Sequence, residues 1–313
     1  MTICETEFRT YAPAANAARH HAPQALREPD FEPDLYRDLM VEPGTKPILG
    51  DIDPNYCGIQ TVCERTPPTL RYYARKIDRL QYLMHAENKH SLLIVLQGVD
   101  AGGKDGVVRH LVTSMNPAGC RVVAFKQPTA IESAHDFLWR VHPHSPAQGE
   151  VVIFNRSHYE DVLVPRVHQL APLSTWPRRF GSINEFERLL TVGNNTTILK
   201  FFLHISKEEQ LARFKLRLED PTRRWKISEA DYHERKYWDE YVVAFEDMLH
   251  KTSTWHAPWF VIPANNKSFR DAAVSQIIIR TLEDLDMRLP QPAVDIDHIR
   301  REYHEAEAGV KAS

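Results

Sequence analysis

The 313-residue chain has four cysteines, Cys4, Cys57, Cys63 and Cys120, with no CxxC pair among them and no zinc-type spacing to its histidines. That excludes a zinc ribbon and a disulfide scaffold, and reads as idle or buried thiols in a reducing compartment. The 16 histidines, His20-His21 and His142-Pro143-His144 among them, have no carboxylate or cysteine at ligand spacing and are read as surface or packing residues. No run approaches the ~20 apolar residues of a membrane span. The opening MTICETEFRT also lacks the basic start and apolar stretch of a secretion signal, so a cytoplasmic protein without membrane contact is expected. A surplus of one charge is missing too: the formal net charge is −3. A surface given over to nucleic acid is thereby excluded, and any polyanion has to meet a local basic patch. There is no internal repeat and no low-complexity tract.

With 42% hydrophobic and 26% charged residues, the chain can bury one sizeable core with elaborations. Nine of its 21 prolines fall in residues 1–68, which predicts an irregular arm lying on the domain and able to reach a neighbouring subunit. Leu70, Tyr73, Ile77, Leu80 and Met84 then mark one face of an amphipathic helix. Next comes the most informative stretch, SLLIVLQ followed by GVDAGGKDG. A continuous apolar run reads as a buried parallel strand, and Val107, Val108, Leu111 and Met115 give the segment after the glycines a helical face. Strand, glycine loop and helix are the setting of a P-loop, and Gly98-x4-Gly103-Lys104 has its spacing. Backbone N–H groups of Gly98, Ala101, Gly102, Gly103, Asp105 and Gly106 would face an anion, Lys104 would reach the outer phosphates, and the helix dipole would point at the same place. The usual hydroxyl after the lysine is absent; Asp105 stands there.

Downstream, RVVAFK (121–126), EVVIFN (150–155), TILKFFLHI (197–205) and WFVIP (259–263) complete five predicted strands. Helices are predicted near 133–141, near 183–190, from Ser206 with a capping box to Glu209, and from near Ser228. Leu211, Phe214 and Leu218 are assigned to the buried face of the third of these, and Trp238, Tyr241, Phe245 and Met248 to that of the fourth. Such alternation predicts a three-layer α/β fold around a five-stranded parallel sheet. Ligands of such sheets sit beyond the strand carboxyl ends. The residues there are polar: Asp100 and Lys104, then Lys126, then Asn155, Arg156, Ser157, His158, Tyr159, Glu160 and Asp161. A further segment, RFKLRLEDPTRRWK (213–226), carries six basic and two acidic residues. Its cations Arg213, Arg217, Arg223, Arg224 and Lys226 suit either a solvated charged face or a lid over transferring phosphates.

Taken together and in order, GVDAGGKDG, FNRSHYEDVLVPRVH, LKFFLHISKEEQLARF and DPTRRWKIS resemble the second polyphosphate kinase family. The resemblance spans about 69–287, with residues 288–313 left as a C-terminal tail or helix. It implies a P-loop kinase fold with a helical lid at about 213–236, Mg²⁺ dependence, and reversible phosphoryl transfer between inorganic polyphosphate and AMP or ADP. It also favours a homodimer or homotetramer. The family's loop aspartate and lysine fall on Asp100 and Lys104, its arginine after the third strand on Arg156, and its lid cations on Arg213, Arg217, Arg223, Arg224 and Lys226. Asn155 replaces the aspartate that many members carry, and Gly102 replaces a frequent alanine. The motif NRSHYE matches the subgroup taking both AMP and ADP. A polyphosphate track needs cations in a line, for which Lys104, Lys126, Arg156, Arg166 and the lid are the candidates. Asp100 is the leading Mg²⁺ ligand, with Asp105 and Glu160 behind it. The other readings are an ATP-dependent nucleoside monophosphate kinase and a non-catalytic nucleotide switch; the chain has no NKxD motif for a guanine-reading switch.

Overall fold

The computed structural model describes residues 34–58 and 66–312. Most of the proline-rich arm, including Cys4, His20, His21 and Cys63, lies outside them. Helix α1 (Leu35–Leu39) leads into strand β1 (Met40–Val41), and α2 (Thr66–Glu87) into β2 (Ser91–Gln97). Then follow α3 (Lys104–Val112), β3 (Cys120–Ala124), α4 (Ala130–Ser133), β4 (Val151–Asn155), α5 (Glu160–Val167) and α6 (Trp176–Asn194). The chain continues through β5 (Thr196–His204), α7 (Lys207–Glu219), α8 (Glu229–Glu234), α9 (Trp238–Thr252), β6 (Trp259–Pro263), α10 (Lys267–Glu283) and α11 (Ile296–Ala312).

The six strands are ordered β1-β6-β5-β2-β4-β3. Five are parallel, as the alternation predicts, but the sheet is mixed: β1 pairs antiparallel with β6 through Met40↔Phe260 and Val41↔Trp259. The arm residues thus close one sheet edge, which would otherwise offer unpaired backbone groups. A two-residue strand shows no periodicity, which is why the sequence hides it.

Strand β2 is buried along its whole length, and its residues divide between two cores. Leu92, Ile94 and Leu96 pack with Ile77, Met84, Val107, Leu111, Phe269 and Ile277 of α2, α3 and α10. Leu93 and Val95 face Val162, Ile183, Phe186, Phe245 and Met248 of α5, α6 and α9. A strand covered on both faces has to be apolar throughout, and each such side chain contributes roughly 1.5–3 kcal/mol by leaving water.

Three helical expectations need correction. The region predicted helical at 133–141 shares only Ser133 with α4 and is otherwise turns, one of which is closed by the Leu138 N–H donating to Asp136 Oδ1 (3.0 Å). The helix expected from Ser228 is broken at Arg235–Tyr237 into α8 and α9. In α7, Phe214 is buried but Leu211 and Leu218 are half-exposed. Its inward face consists of Gln210, Arg213 and Phe214 instead, because the helix lies against a polar loop. Ser206 does accept from the Glu209 N–H (3.1 Å), yet the Glu209 carboxylate turns to Arg213 Nε (2.7 Å).

Candidate active site

The chain leaves β2 for β3 and returns to β4 on one side, then crosses to β5 on the other. That reversal opens a crevice beyond the carboxyl end of β2, and residues 98–103 fill it. Gly98 has φ +148°, and a Cβ there would lie 2.8 Å from the Leu203 carbonyl oxygen of β5. Gly103, at φ +107°, would drive a Cβ into Arg270 Nη1. Ala101 is also left-handed, at φ +61°. Turns of this kind can direct backbone N–H groups inward as an anion cradle, but two of the expected donors are engaged within the loop: the Gly102 N–H donates to the Val99 carbonyl (3.0 Å) and the Gly106 N–H to that of Gly103 (2.9 Å). Helix α3 starts directly after it with no side-chain cap, so its positive end faces the cradle.

The Gly98→Ala variant is expected to be damaged twice, by contact with an immovable strand backbone and by a disfavoured φ. About 1–3 kcal/mol of strain is the expected scale, read as a lowered melting temperature together with lost turnover.

Lys104 Nζ donates to the Gly98 and Val99 carbonyls at 2.6 and 3.0 Å. Burial first, and Arg156 second, lower its pKa to about 8, while Asp100, Glu160 and Asp105 pull it upward. An anion in the cradle would favour the ammonium further. Arg156 sits just past β4 at φ +61°. Its guanidinium bridges two carboxylates, Asp100 through Nη2 and Glu160 through Nη1 (3.1 Å to the latter). Burial opposes the charge on Arg156, but Glu160 and Asp100 outweigh it and raise its pKa.

Gly98, Val99, Asp100, Arg156 and Glu160 line one wall of a cleft that is open to solvent. Leu163, Gln210, Glu234, Arg235, Trp238, Tyr241 and Phe245 make up the rest. Glu234 Oε2 accepts from Tyr241 Oη at 2.8 Å and lies 2.9 Å from His168 Nε2. Burial, then Glu234, push the Tyr241 phenol well above its ordinary range. The sequence reading missed this wall. Trp238 and Tyr241 carried the signal, but their helical spacing from Phe245 and Met248 made them look like core.

The basic segment divides into two populations. Arg213 is buried against the back of the loop: Nη1 donates to the Ala101 and Gly102 carbonyls (2.8 and 3.0 Å), Nη2 to Ala264 (2.5 Å) and Asn265 (3.3 Å). Such a guanidinium braces the loop backbone. The sequence also missed Arg270, a buried residue of α10 that packs against Gly103 and Gly106 and pairs with Asp271 at 2.7 Å. The other cations are looser. Arg217 holds Asp231 (2.7 Å), Arg223 holds Asp220 (2.7 Å), and Arg224 Nε donates to the Leu218 carbonyl (3.1 Å). Lys226 spans to Asp105 (3.3 Å), whose other oxygen takes Asn155 Nδ2 (3.0 Å).

Lys126 is exposed just past β3, its carbonyl held by Arg140 (2.8 Å). Arg166 is not brought to the loop. It pairs with Asp247 (2.8 Å) and stacks on Trp176, and Asp247 also holds Lys46. Its place on α5, six residues beyond Glu160, points it into the packing with α9 and away from the phosphate cradle.

Among the described residues no three His, Cys, Asp or Glu side chains converge as a metal cage. The donor set does suit Mg²⁺, which is usually held by one or two carboxylates together with substrate phosphates. Asp100 and Glu160 meet on one guanidinium at the cleft, while Asp105 is engaged by Lys226 and Asn155.

With this geometry in hand, the comparisons with known proteins are specific. The model of the family described as Polyphosphate kinase 2 (PPK2) matches residues 66–290. The AMP/ADP-polyphosphate phosphotransferase of Meiothermus ruber is 52% identical over 218 residues, covering 70% of this chain and 81% of that protein. The ADP-polyphosphate phosphotransferase of Rhodopseudomonas palustris is 44% identical over 234 residues, covering 71% and 81%. The crystal structure of polyphosphate kinase 2 from Arthrobacter aurescens TC1 superposes with a TM-score of 0.83 at 40% identity, over 87% of this chain and 96% of that one. A family model covering most of the chain, and relatives this similar over most of their own length, agree with the loop and the cationic surroundings: the chain belongs to the polyphosphate kinase 2 family.

Proposed function

We infer that the protein transfers phosphoryl groups reversibly between inorganic polyphosphate and nucleoside mono- and diphosphates, carrying AMP to ADP and ADP to ATP. The observation that carries this reading is the Arg156 bridge between Asp100 and Glu160. It stands at the junction of the Lys104 loop with a cleft whose far wall carries Trp238 and Tyr241. In this reading the loop amides and Lys104 hold the phosphate chain. Trp238 and Tyr241 flank the nucleoside, and Arg156 meets the group in flight. A terminal oxygen of the acceptor phosphate attacks the end phosphorus of the chain, and the bond from that phosphorus to the next bridging oxygen breaks. Negative charge spreads over the transferring oxygens, which positioned cations stabilise. Bound Mg²⁺ would neutralise part of that charge, and Asp100 with Glu160 are the side chains that would hold it.

Arg217, Arg223, Arg224 and Lys226 serve as the lid. Arg223 is half-exposed and its pair with Asp220 is local, so exchanging that partner for a phosphate costs little. Arg223→Ala and Arg224→Ala are expected to lower kcat by about tenfold or more while nucleotide affinity changes by less than about threefold. Equal losses in both quantities would mean simple ground-state binding. A donor and acceptor screen with Mg²⁺ tests the function itself. Polyphosphate should convert AMP and ADP. Activity with ATP as the only effective donor would instead mark a nucleoside monophosphate kinase, and binding without turnover a nucleotide switch.

A further inference from the structure

The residues between Arg156 and Glu160 turn away from the cleft: Ser157, His158 and Tyr159 are completely buried. Gln97 Nε2 and the Tyr159 N–H both donate to Ser157 Oγ, at 3.1 and 3.2 Å. Tyr159 Oη donates to Glu187 Oε1 (2.8 Å), and His158 Nε2 lies 3.3 Å from the same oxygen. The other Glu187 oxygen takes Lys200 Nζ at 2.6 Å. Lys200 completes its shell with Tyr159 Oη (3.0 Å) and the Thr252 carbonyl (2.6 Å). One turn, α6, β5 and α9 therefore converge on an ion pair that is entirely shut off from water.

Nothing in the transfer reaction touches this pair. Its contribution to stability is no explanation either, because desolvating two charges commonly offsets their attraction, and apolar residues of similar volume serve as well. What the pair does control is direction. Arg156 holds a left-handed φ that a non-glycine residue keeps only where its surroundings over-determine it. The three residues after it are all tethered inward, so the turn cannot relax without breaking the buried network.

We propose that Glu187 and Lys200 are positioning residues: through Tyr159 and His158 they lock the turn that aims Arg156 into the cleft. The proposal rests on the reading that Arg156 acts on the transferring phosphoryl group. The paired substitution Glu187→Leu with Lys200→Met removes both charges together and leaves apolar volume, and circular dichroism and melting establish that the variant folds. Polyphosphate-to-ADP turnover is then measured in the native and the Arg156→Ala backgrounds. In the native background kcat falls by about tenfold or more with KM for both substrates within about twofold; in the Arg156→Ala background the pair changes kcat by less than about twofold. Equal losses in both backgrounds, or native kcat despite a slow Arg156→Ala enzyme, overturn the proposal and leave the reading of Arg156 standing. A fully active Arg156→Ala enzyme overturns both. If the paired variant does not fold, Tyr159→Phe, which removes one hydroxyl and keeps the ring, is put through the same cycle. It should lose turnover only where Arg156 is present, and an equal loss or no loss contradicts the proposal.

Discussion

Lys104→Ala is expected to lower polyphosphate-to-nucleotide turnover by about 10³-fold or more while the protein remains folded. The ammonium is the cation held inside the loop, fastened to two loop carbonyls at 2.6 and 3.0 Å, so its charge is already in place before any phosphate arrives. Preorganised charge in a water-poor site acts at nearly full strength, whereas a lid cation must first give up its solvent and its present partner. The fold should survive because α3 is anchored by Val107 and Leu111, which face the core. Lys104→Arg should not restore function: the planar guanidinium is larger and cannot occupy the space between the Gly98 and Val99 carbonyls in the same way. Steady-state kinetics with melting curves check both variants, and a Lys104→Ala enzyme with native turnover would remove the lysine from the mechanism.

Arg156→Ala is expected to cost about 10²–10³-fold in kcat, and Arg156→Lys to recover less than about tenfold of it. Arg156 uses different nitrogens for Asp100 and Glu160, a fork that a single ammonium cannot reproduce. Without it the two carboxylates face one another at the place where the transferring phosphate would carry its own charge. Loss in kcat with a smaller change in KM would place the interaction in the transition state; the reverse pattern would make Arg156 an ordinary binding residue.

What could be read from sequence was what is local in the chain. Strand β2, the glycine loop and α3 are contiguous, and their signals, an apolar run, glycines at fixed offsets and a lysine, need no tertiary information. Arg156 was readable because parallel sheets place the residue after a strand at the ligand edge. The bracing of the loop by Arg213 and Arg270 was not, since a cation on α7 or α10 looks the same in sequence whether it faces phosphate or backbone carbonyls. Trp238 and Tyr241 were hidden for a related reason. An aromatic stripe is equally compatible with a core and a cleft, and only the break at Arg235–Tyr237 and the neighbouring Glu234 distinguish the two. Ser157, His158 and Tyr159 show the opposite error. They look like site residues by position, yet their side chains serve the buried Glu187–Lys200 network.

A crystal structure determined after soaking with a defined-length polyphosphate and a nucleotide tests the account most directly. The expected result is a row of linked phosphates against the backbone amides between Gly98 and Gly103, with Lys104 Nζ on the chain. Its end unit should lie between Arg156 and a nucleoside seated by Trp238 and Tyr241. Polymer bound at another surface, with the loop beside Lys104 vacant, would contradict it.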